Sequence, residues 1–440
     1  MEDIIVSKYG GSSITKYEDI ERIKKITCDD PRRKIIIVSA PGKRDEKDAK
    51  ITDLLISLAK DKDSSLVQLI IGRYKMLCPT EDANDLSDLL QQRLSQSLED
   101  DKYLDSLKSF GEEACAKLIA KKINAQFVDP RELFLVSEDY GNAKILKQSE
   151  EMIKKRLASK KEIFVVPGFY GYTEQGNIAT FNRGGSDLTG AYIAASLNAK
   201  EYENFTDIDG ICAANPDIVQ NPKKIDVITF DEMRDLAYSG FGIFYEEAIN
   251  PVNKKRIPVH VRSTFNYPSE GTYIVHDRLS DPDKPIAGVA YKDGFCTFDI
   301  ALFGLNGMIG IARKILQIFE EEKISIEFIT TAIDDFSVIF REDQLKHPFK
   351  DIRDITEKLY TLMGEDASIN FQEHLGSLVV AGKGLKEKKG IFANIQQTLA
   401  EADVNIKFIS KGPLERSIIY GINSSDTKKA VNAIYNKYLR

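Results

Sequence analysis

The sequence predicts an α/β sandwich on a mostly parallel sheet, followed by two βαββαβ units. Three observations carry this. In the first part of the chain, short and nearly continuous apolar runs alternate with longer amphipathic stretches, as do strands buried on both faces and the helices that cross between them. Several runs end in glycine-rich or polar turns. The C-terminal part repeats itself without gaps at an offset of 80 residues.

The strand candidates are DIIVSKY, KIIIVSA, AQFVDP, IFVVPGF, YENFTDI and IPVHVRS. Helix candidates at 51–60, 111–122, 149–158 and 187–197 lie between them. Residues 60–110 are charged and helical without strand signals, so a surface helical subdomain is expected over about 51–122. RLSDPDKPI at 278–286 has the composition of a linker. Beyond it the repeat matches Gly304 with Gly384, Gly310 with Gly390, Ile315 with Ile395, Gln317 with Gln397 and Phe328 with Phe408. Each copy reads as a glycine turn, an amphipathic helix and a strand, with further strand signals on both sides. The expected domains are 1–285, 286–370 and 371–440.

At 440 residues the chain is long enough for two or three cores. Its 42% hydrophobic and 29% charged residues are ordinary for a globular protein, and a net charge of −7 argues against nucleic acid as a partner. Five scattered cysteines without a CxxC suggest neither a disulfide framework nor a zinc knuckle. The opening MEDIIVSKY carries acids and lacks a long apolar stretch, and no run reaches the roughly 18 apolar residues of a membrane span. A cytoplasmic protein without a signal peptide or membrane partner is expected.

In open parallel sheets, ligands sit beyond the carboxyl ends of strands. KYGGSS, VSAPGK, VPGFYG and TDIDG all fall there. Glycines in KYGGSS let backbone N–H groups approach an anion, with Lys8 as counter-charge. A strand-to-helix turn that needs glycine for backbone reasons fits the stretch equally well. In NRGGSD, Ser186 and Asp187 are by themselves a plain helix cap. Arg183 before Gly184 and Gly185 shifts the balance, since a guanidinium forks onto carboxylate or phosphate. Thr206, Asp207 and Gly210 read as a turn or as a nucleotide contact. Thr52 and Asp53 read as a simple cap. The four histidines lie outside every motif. The remaining inventory of lysine, arginine, aspartate and glycine backbone suits phosphoryl transfer, where positioning and charge neutralisation do most of the catalysis.

KYGGSS, VSAPGK, FGEEA, FNRGGSD and TDIDG, in this order before a duplicated tail, resemble the aspartokinases of the amino-acid kinase family, which carry tandem ACT domains. The resemblance covers nearly the whole chain and implies ATP-dependent phosphorylation of the β-carboxylate of L-aspartate, the first step toward lysine, threonine and methionine. It implies a monofunctional enzyme, ending after the second ACT-like unit, that forms a homodimer or larger homo-oligomer. By resemblance, Lys8 neutralises the transferring phosphoryl group, Gly10, Gly11 and Ser12 cradle phosphates, and Asp187 organises Lys8 and the metal-bound phosphates. Arg183, with Gly184, Gly185 and Ser186, holds a substrate carboxylate. Glu112 pairs with the ammonium, Ser39 and Thr52 complete that pocket, and Thr206, Asp207 and Gly210 line the nucleotide. Magnesium rides on ATP, with no protein ligand assigned.

The chain departs from the family pattern at several positions. Asp217 stands where many relatives have arginine and Gly242 where many have lysine, leaving Lys223 or Lys224 as substitutes. Ala332 and Ile333 replace polar residues of lysine-sensitive relatives, so the identity of an amino-acid effector is open. The alternatives are a related kinase of another acidic amino acid and a non-catalytic amino-acid sensor.

Overall fold

The computed structural model describes residues 3–79, 84–157, 161–240 and 246–440. It forms two compact units. The first holds Met1–Ile211, Lys224–Phe230 and Gly242–Arg278; the second holds Cys212–Lys223, Asp231–Phe241 and Leu279–Arg440. Three stretches up to residue 285 therefore belong to the second unit, namely Cys212–Lys223, Asp231–Phe241 and 279–285, so the division is not a single linear cut at 285/286.

The chain opens with β1 (Ile5–Tyr9), α1 (Tyr17–Asp29) and β2 (Arg33–Val38), followed by four helices: α2 (Ile51–Asp61), α3 (Ser64–Leu77), α4 (Asn84–Leu94) and α5 (Asp100–Ile123). Next come β3 (Gln126–Phe127), α6 (Gln148–Arg156), β4 (Phe164–Pro167), the hairpin of β5 (Tyr170–Tyr172) and β6 (Ile178–Thr180), α7 (Gly185–Leu197) and β7 (Glu201–Thr206). β8 (Val227–Thr229), α8 (Phe230–Tyr238), α9 (Asn250–Lys254), β9 (Val259–Ser263) and β10 (Thr272–Val275) follow. One eight-stranded sheet runs β3-β4-β2-β1-β7-β9-β10-β8. Its first six strands are parallel, and β10 turns back antiparallel to β9. Ile35, Ile36, Ile37 and Val38 are all buried, because helices cover both faces. The strand expected from AQFVDP shrinks to two residues. The helix expected over 111–122 is the end of the 24-residue α5, packed with α2, α3 and α4 around Tyr74, Leu107, Phe110 and Ile119.

A buried ion cluster crosses this sheet. Glu203 of β7 accepts Arg33 in a fork (2.6 and 2.7 Å), Arg262 of β9 at 3.0 Å and the Ser7 hydroxyl of β1 at 2.7 Å. Arg33, at the head of β2, is 3% exposed, and its guanidinium also reaches the Ile26 carbonyl and the Tyr267 hydroxyl. Four adjacent strands thus share one charge centre. The cations hold Glu203 below the ordinary carboxylate range against the opposing effect of burial.

The second unit carries β11 (Gly288–Ala301), α10 (Ile311–Glu321), β12 (Ile326–Thr331), β13 (Asp335–Arg341), α11 (Pro348–Met363) and β14 (Ser368–Ala381). α12 (Ile391–Glu401), β15 (Ile406–Ser410), β16 (Ser417–Asn423) and α13 (Thr427–Tyr438) complete it. The sheet order is β12-β13-β11-β14-β16-β15. Its two long strands each serve both repeats. β13 pairs only with Phe295–Ala301 of β11, whereas β14 pairs along its whole length from Gly288 to Ala301. β16 pairs only with Leu375–Ala381 of β14. The fourth strand of the second copy is therefore the first half of β11, which precedes the first copy in sequence. The expected 370/371 boundary falls inside β14.

The repeat pairing itself is visible in the structure. Gly310 and Gly390 take φ of +76° and +77° before helices of 11 residues each, a conformation that favours glycine. Phe328 and Phe408 meet with ring centroids 6.0 Å apart, near Phe295, Ile339 and Leu375.

Arg33→Met should lower unfolding stability by about 3–5 kcal/mol, because it leaves Glu203 buried without its forked partner. Glu203 is held low, so its contribution is present above the ordinary carboxylate pKa and is lost as pH falls through the folded value. Urea unfolding at several pH values should show the gap between the parent and Glu203→Gln widest near neutrality and closing in acid.

Candidate active site

The glycine loops lie together at the carboxyl ends of β1, β2 and β4. Gly42 donates to the Gly11 carbonyl at 2.9 Å, and Ser39 to the Tyr9 carbonyl at 3.2 Å. A Cβ on Gly11 would stand 2.7 Å from the Ala40 oxygen, and one on Gly42 only 2.5 Å from the Gly11 oxygen. Here glycine is needed for close approach of two backbones. Gly168, after β4, donates to the Val38 carbonyl at 3.0 Å, and a Cβ there would meet Ser186 at 2.7 Å. The N-terminus of α7 is thereby drawn onto the same edge of the sheet.

Lys8 and Asp187 meet at that edge, with Nζ 2.7 Å from Oδ1. Asp187 is not a cap. α7 begins at Gly185 with Gly184 as its N-cap, at φ +80° and without a capping side chain, so Asp187 sits inside the first turn with its carboxylate turned to β1. A Cβ on Gly10 would lie 3.4 Å from Lys8 Nζ and 4.0 Å from Ser12 Oγ, so Gly10 leaves the space beside the ammonium open. The N-terminal end of α7 adds positive partial charge there. Ser12 and Arg183 are exposed, and among the described residues no ion pair holds the Arg183 guanidinium. Gly184 is half-buried; Gly185 and Ser186 are buried.

α5 brings Glu112 to the loop after β2. Gly111 permits this, since a Cβ there would stand 2.7 Å from that of Ala40, and the Tyr74 hydroxyl donates to its carbonyl at 2.7 Å. Glu112 Oε1 accepts the Ala40 N–H at 3.0 Å, while Oε2 is buried without a partner. Burial pushes this carboxyl up to about 8. Thr52 is half-buried in the first turn of α2, whose N-cap is Lys50, so Thr52 and Asp53 do not cap that helix. Ser39 is half-buried at the end of β2.

Thr206 ends β7, its hydroxyl donating to Asp207 at 3.0 Å. Gly210 takes φ +133° in a tight turn. A Cβ there would lie 2.8 Å from Thr272 Oγ1 and 2.9 Å from Lys224 Cδ. Lys224 therefore roofs the TDIDG turn, its Nζ 3.4 Å from Ser269 Oγ. Lys223 belongs to the second unit, where its N–H donates to the Tyr435 hydroxyl at 2.8 Å. Asp217 is in the second unit too. Gly242 lies outside the described residues. The loop after β1 is tied to β7 through the Gly10 N–H, which donates to the Phe205 carbonyl at 3.2 Å.

Sequence reasoning missed Asn204, whose Nδ2 donates to Asp187 Oδ1 at 2.7 Å. The available signal was a polar residue inside a buried strand. Among the described residues, Glu201, Glu203 and His260 could together address a metal ion. Those groups are already engaged internally: Glu203 by two arginines, and His260 by Glu201 at 2.8 Å and the Glu270 carbonyl at 2.5 Å.

Comparison with known proteins identifies the family. The Amino acid kinase family model matches residues 3–263, and an ACT domain model matches residues 378–438. Aspartokinase 3 of Bacillus subtilis is 35% identical, over 98% of each chain. The aspartokinase of Thermus thermophilus is 27% identical, over 99% of this chain and 98% of its own. The crystal structure of Clostridium acetobutylicum aspartate kinase superposes with a TM-score of 0.90 at 34% identity, covering 99% of this chain and all of that one. E. coli aspartokinase III, solved with aspartate and ADP, shares the fold at 21% identity and a TM-score of 0.75.

Glu112 ionises at a higher pH folded than unfolded, so the parent should lose stability as pH rises from about 4.5 toward about 8. Thermal unfolding of Glu112→Gln should match the parent at pH 4 and gain on it by up to about 1.4 kcal/mol for each pH unit crossed. A constant difference across this range would show that the Glu112 carboxyl is not held neutral.

Proposed function

For a chain that belongs to the aspartokinases of the amino acid kinase family, and so is an aspartate kinase, we propose transfer of the γ-phosphoryl group of magnesium-ATP to the β-carboxylate of L-aspartate. The products are 4-phospho-L-aspartate and ADP. The observation that carries the reading is the Lys8–Asp187 pair beside glycine loops and a helix N-terminus, a cationic cradle at the end of parallel strands.

In this reading Gly10, Gly11 and Ser12 receive the phosphates through backbone N–H groups and the serine hydroxyl. Lys8 faces the transferring group and offsets the charge that builds on its oxygens. Asp187 holds Lys8 extended toward it. Magnesium enters with ATP as part of the substrate. Thr206, Asp207 and Gly210 line the nucleotide, with Lys224 as a cationic contact beside the turn. Arg183, with Gly184, Gly185 and Ser186, takes a substrate carboxylate, Glu112 takes the ammonium, and Ser39 and Thr52 border the amino acid.

An aspartate β-carboxylate is already ionised at neutral pH. Its oxygen attacks the γ-phosphorus while the bond to the ADP oxygen breaks, and no proton has to be removed first. A site of cations and backbone donors without a histidine base fits that chemistry.

The tail is read as an amino-acid-responsive regulatory pair, and the enzyme as a cytoplasmic homo-oligomer at the head of lysine, threonine and methionine synthesis. In the first copy the Ala332 N–H closes a turn onto the Asp335 carbonyl at 2.9 Å, and Ile333 is 74% exposed. An effector there meets an apolar edge in place of the polar ligands of lysine-sensitive relatives.

Trapping the acyl phosphate as its hydroxamate tests the function. Product is expected from aspartate and not from glutamate, and Lys8→Ala should retain less than about a tenth of the rate, given the several kcal/mol such a charge supplies in phosphoryl transfer. Product from glutamate alone would overturn the substrate assignment. Aspartate binding at pH 7 should release close to one proton, because its ammonium ionises a Glu112 carboxyl that is otherwise neutral. Calorimetry in buffers of different ionisation enthalpy measures this, and Glu112→Gln should abolish it.

A further inference from the structure

Asp187 Oδ1 accepts two donors at 2.7 Å, one from Lys8 and one from the Asn204 amide. Asn204 is 4% exposed on β7 and stands directly beside Lys8 of β1 in the parallel register. From this geometry we infer that Asn204 is a positioning residue for phosphoryl transfer, setting the Asp187 carboxylate that aims Lys8. The inference rests on the functional reading above.

The alternation of β7 supports it. Tyr202 and Asn204 share one face of the strand and both address the first turn of α7: the Tyr202 hydroxyl donates to the Asp187 carbonyl at 3.3 Å, and Asn204 donates to the Asp187 side chain. Glu203 lies on the other face, in the arginine cluster. A Cβ on Gly190 would stand 2.6 Å from the Tyr202 ring, so α7 rests closely on this strand. One short carboxylate thus spans from α7 to two neighbouring strands. Without the amide, Lys8 alone would hold Asp187, and the pair would be free to swing together. With it, the shared oxygen is fixed by a strand that cannot shift without breaking the sheet. An amide suits the role because it donates a hydrogen bond without adding charge beside the ammonium. The titratable groups facing the Asp187 carboxylate among the described residues are Lys8 from β1 and the Tyr202 phenol from β7.

The test compares Asn204→Leu, which keeps the branching and heavy-atom count and removes the donor, with Asn204→Asp, which keeps the shape and replaces the donor with an acid. Asn204→Leu should lower kcat at least tenfold, with KM for magnesium-ATP and for aspartate each within threefold of the parent. Asn204→Asp should move the acidic limb of kcat to higher pH by about a unit, since a second carboxylate against Asp187 disfavours ionisation of the pair. A kcat within twofold of the parent for Asn204→Leu would overturn the proposal. If Asn204→Leu does not fold, Asn204→Asp decides: an unmoved acidic limb overturns it. Parent turnover is measured first. Its absence would overturn the functional reading alone, and the same comparison would then be made on magnesium-ATP hydrolysis.

Discussion

The Glu203 carboxylate is the interaction on which the first unit depends. It is buried at the centre of the parallel sheet and takes donors from the three other strands of the central group β2-β1-β7-β9. A buried charge of this kind is weak evidence for net stability, because desolvation opposes the attraction. Its stronger effect is on register. A slip of one residue in any of these strands would turn the charged group to the opposite face and strand its partners.

That register also sets the geometry of the candidate site, because strands alternate. Ser7 and Glu203 point into the ion cluster, so their neighbours Lys8 and Asn204 point to the other face, where α7 presents Asp187. The same pairing that satisfies the cluster brings ammonium, amide and carboxylate together at 2.7 Å. Close approach at Gly11, Gly42 and Gly168 then draws the loops after β1, β2 and β4 onto one edge. The site is a product of sheet register on one side and missing Cβ atoms on the other.

The second unit solves a different problem. Two copies of one sequence motif need a common core, and β11 and β14 provide it by pairing over 288–301 and 368–381. Each long strand gives one half to each copy. The related residues Phe328 and Phe408 face each other, as the equivalent positions of a two-fold arrangement do on its axis. The first copy is nested between the pieces of the second, which short connections accomplish only if one strand is supplied from upstream.

The sequence by itself determined the α/β class, the order of the major elements and the repeat. Each of these is written in local patterns: apolar runs of strand length, glycines at strand ends, and an offset of 80 residues. Lys8 and Asp187 stood out through the family resemblance of KYGGSS and NRGGSD, since the glycines alone fit a plain turn and Ser186-Asp187 a plain cap. Asn204 was not, since a single amide in an apolar strand has many uses, and only the β1–β7 register sets it against Asp187. The nesting of the repeats was equally hidden, because a strand's sequence gives its length and faces without naming its neighbours. Nor does FGEEA reveal that Glu112 is buried with one oxygen unpartnered. Contacts between residues far apart in sequence depend on which edges pair and how deeply a group is buried, and these only the tertiary structure decided.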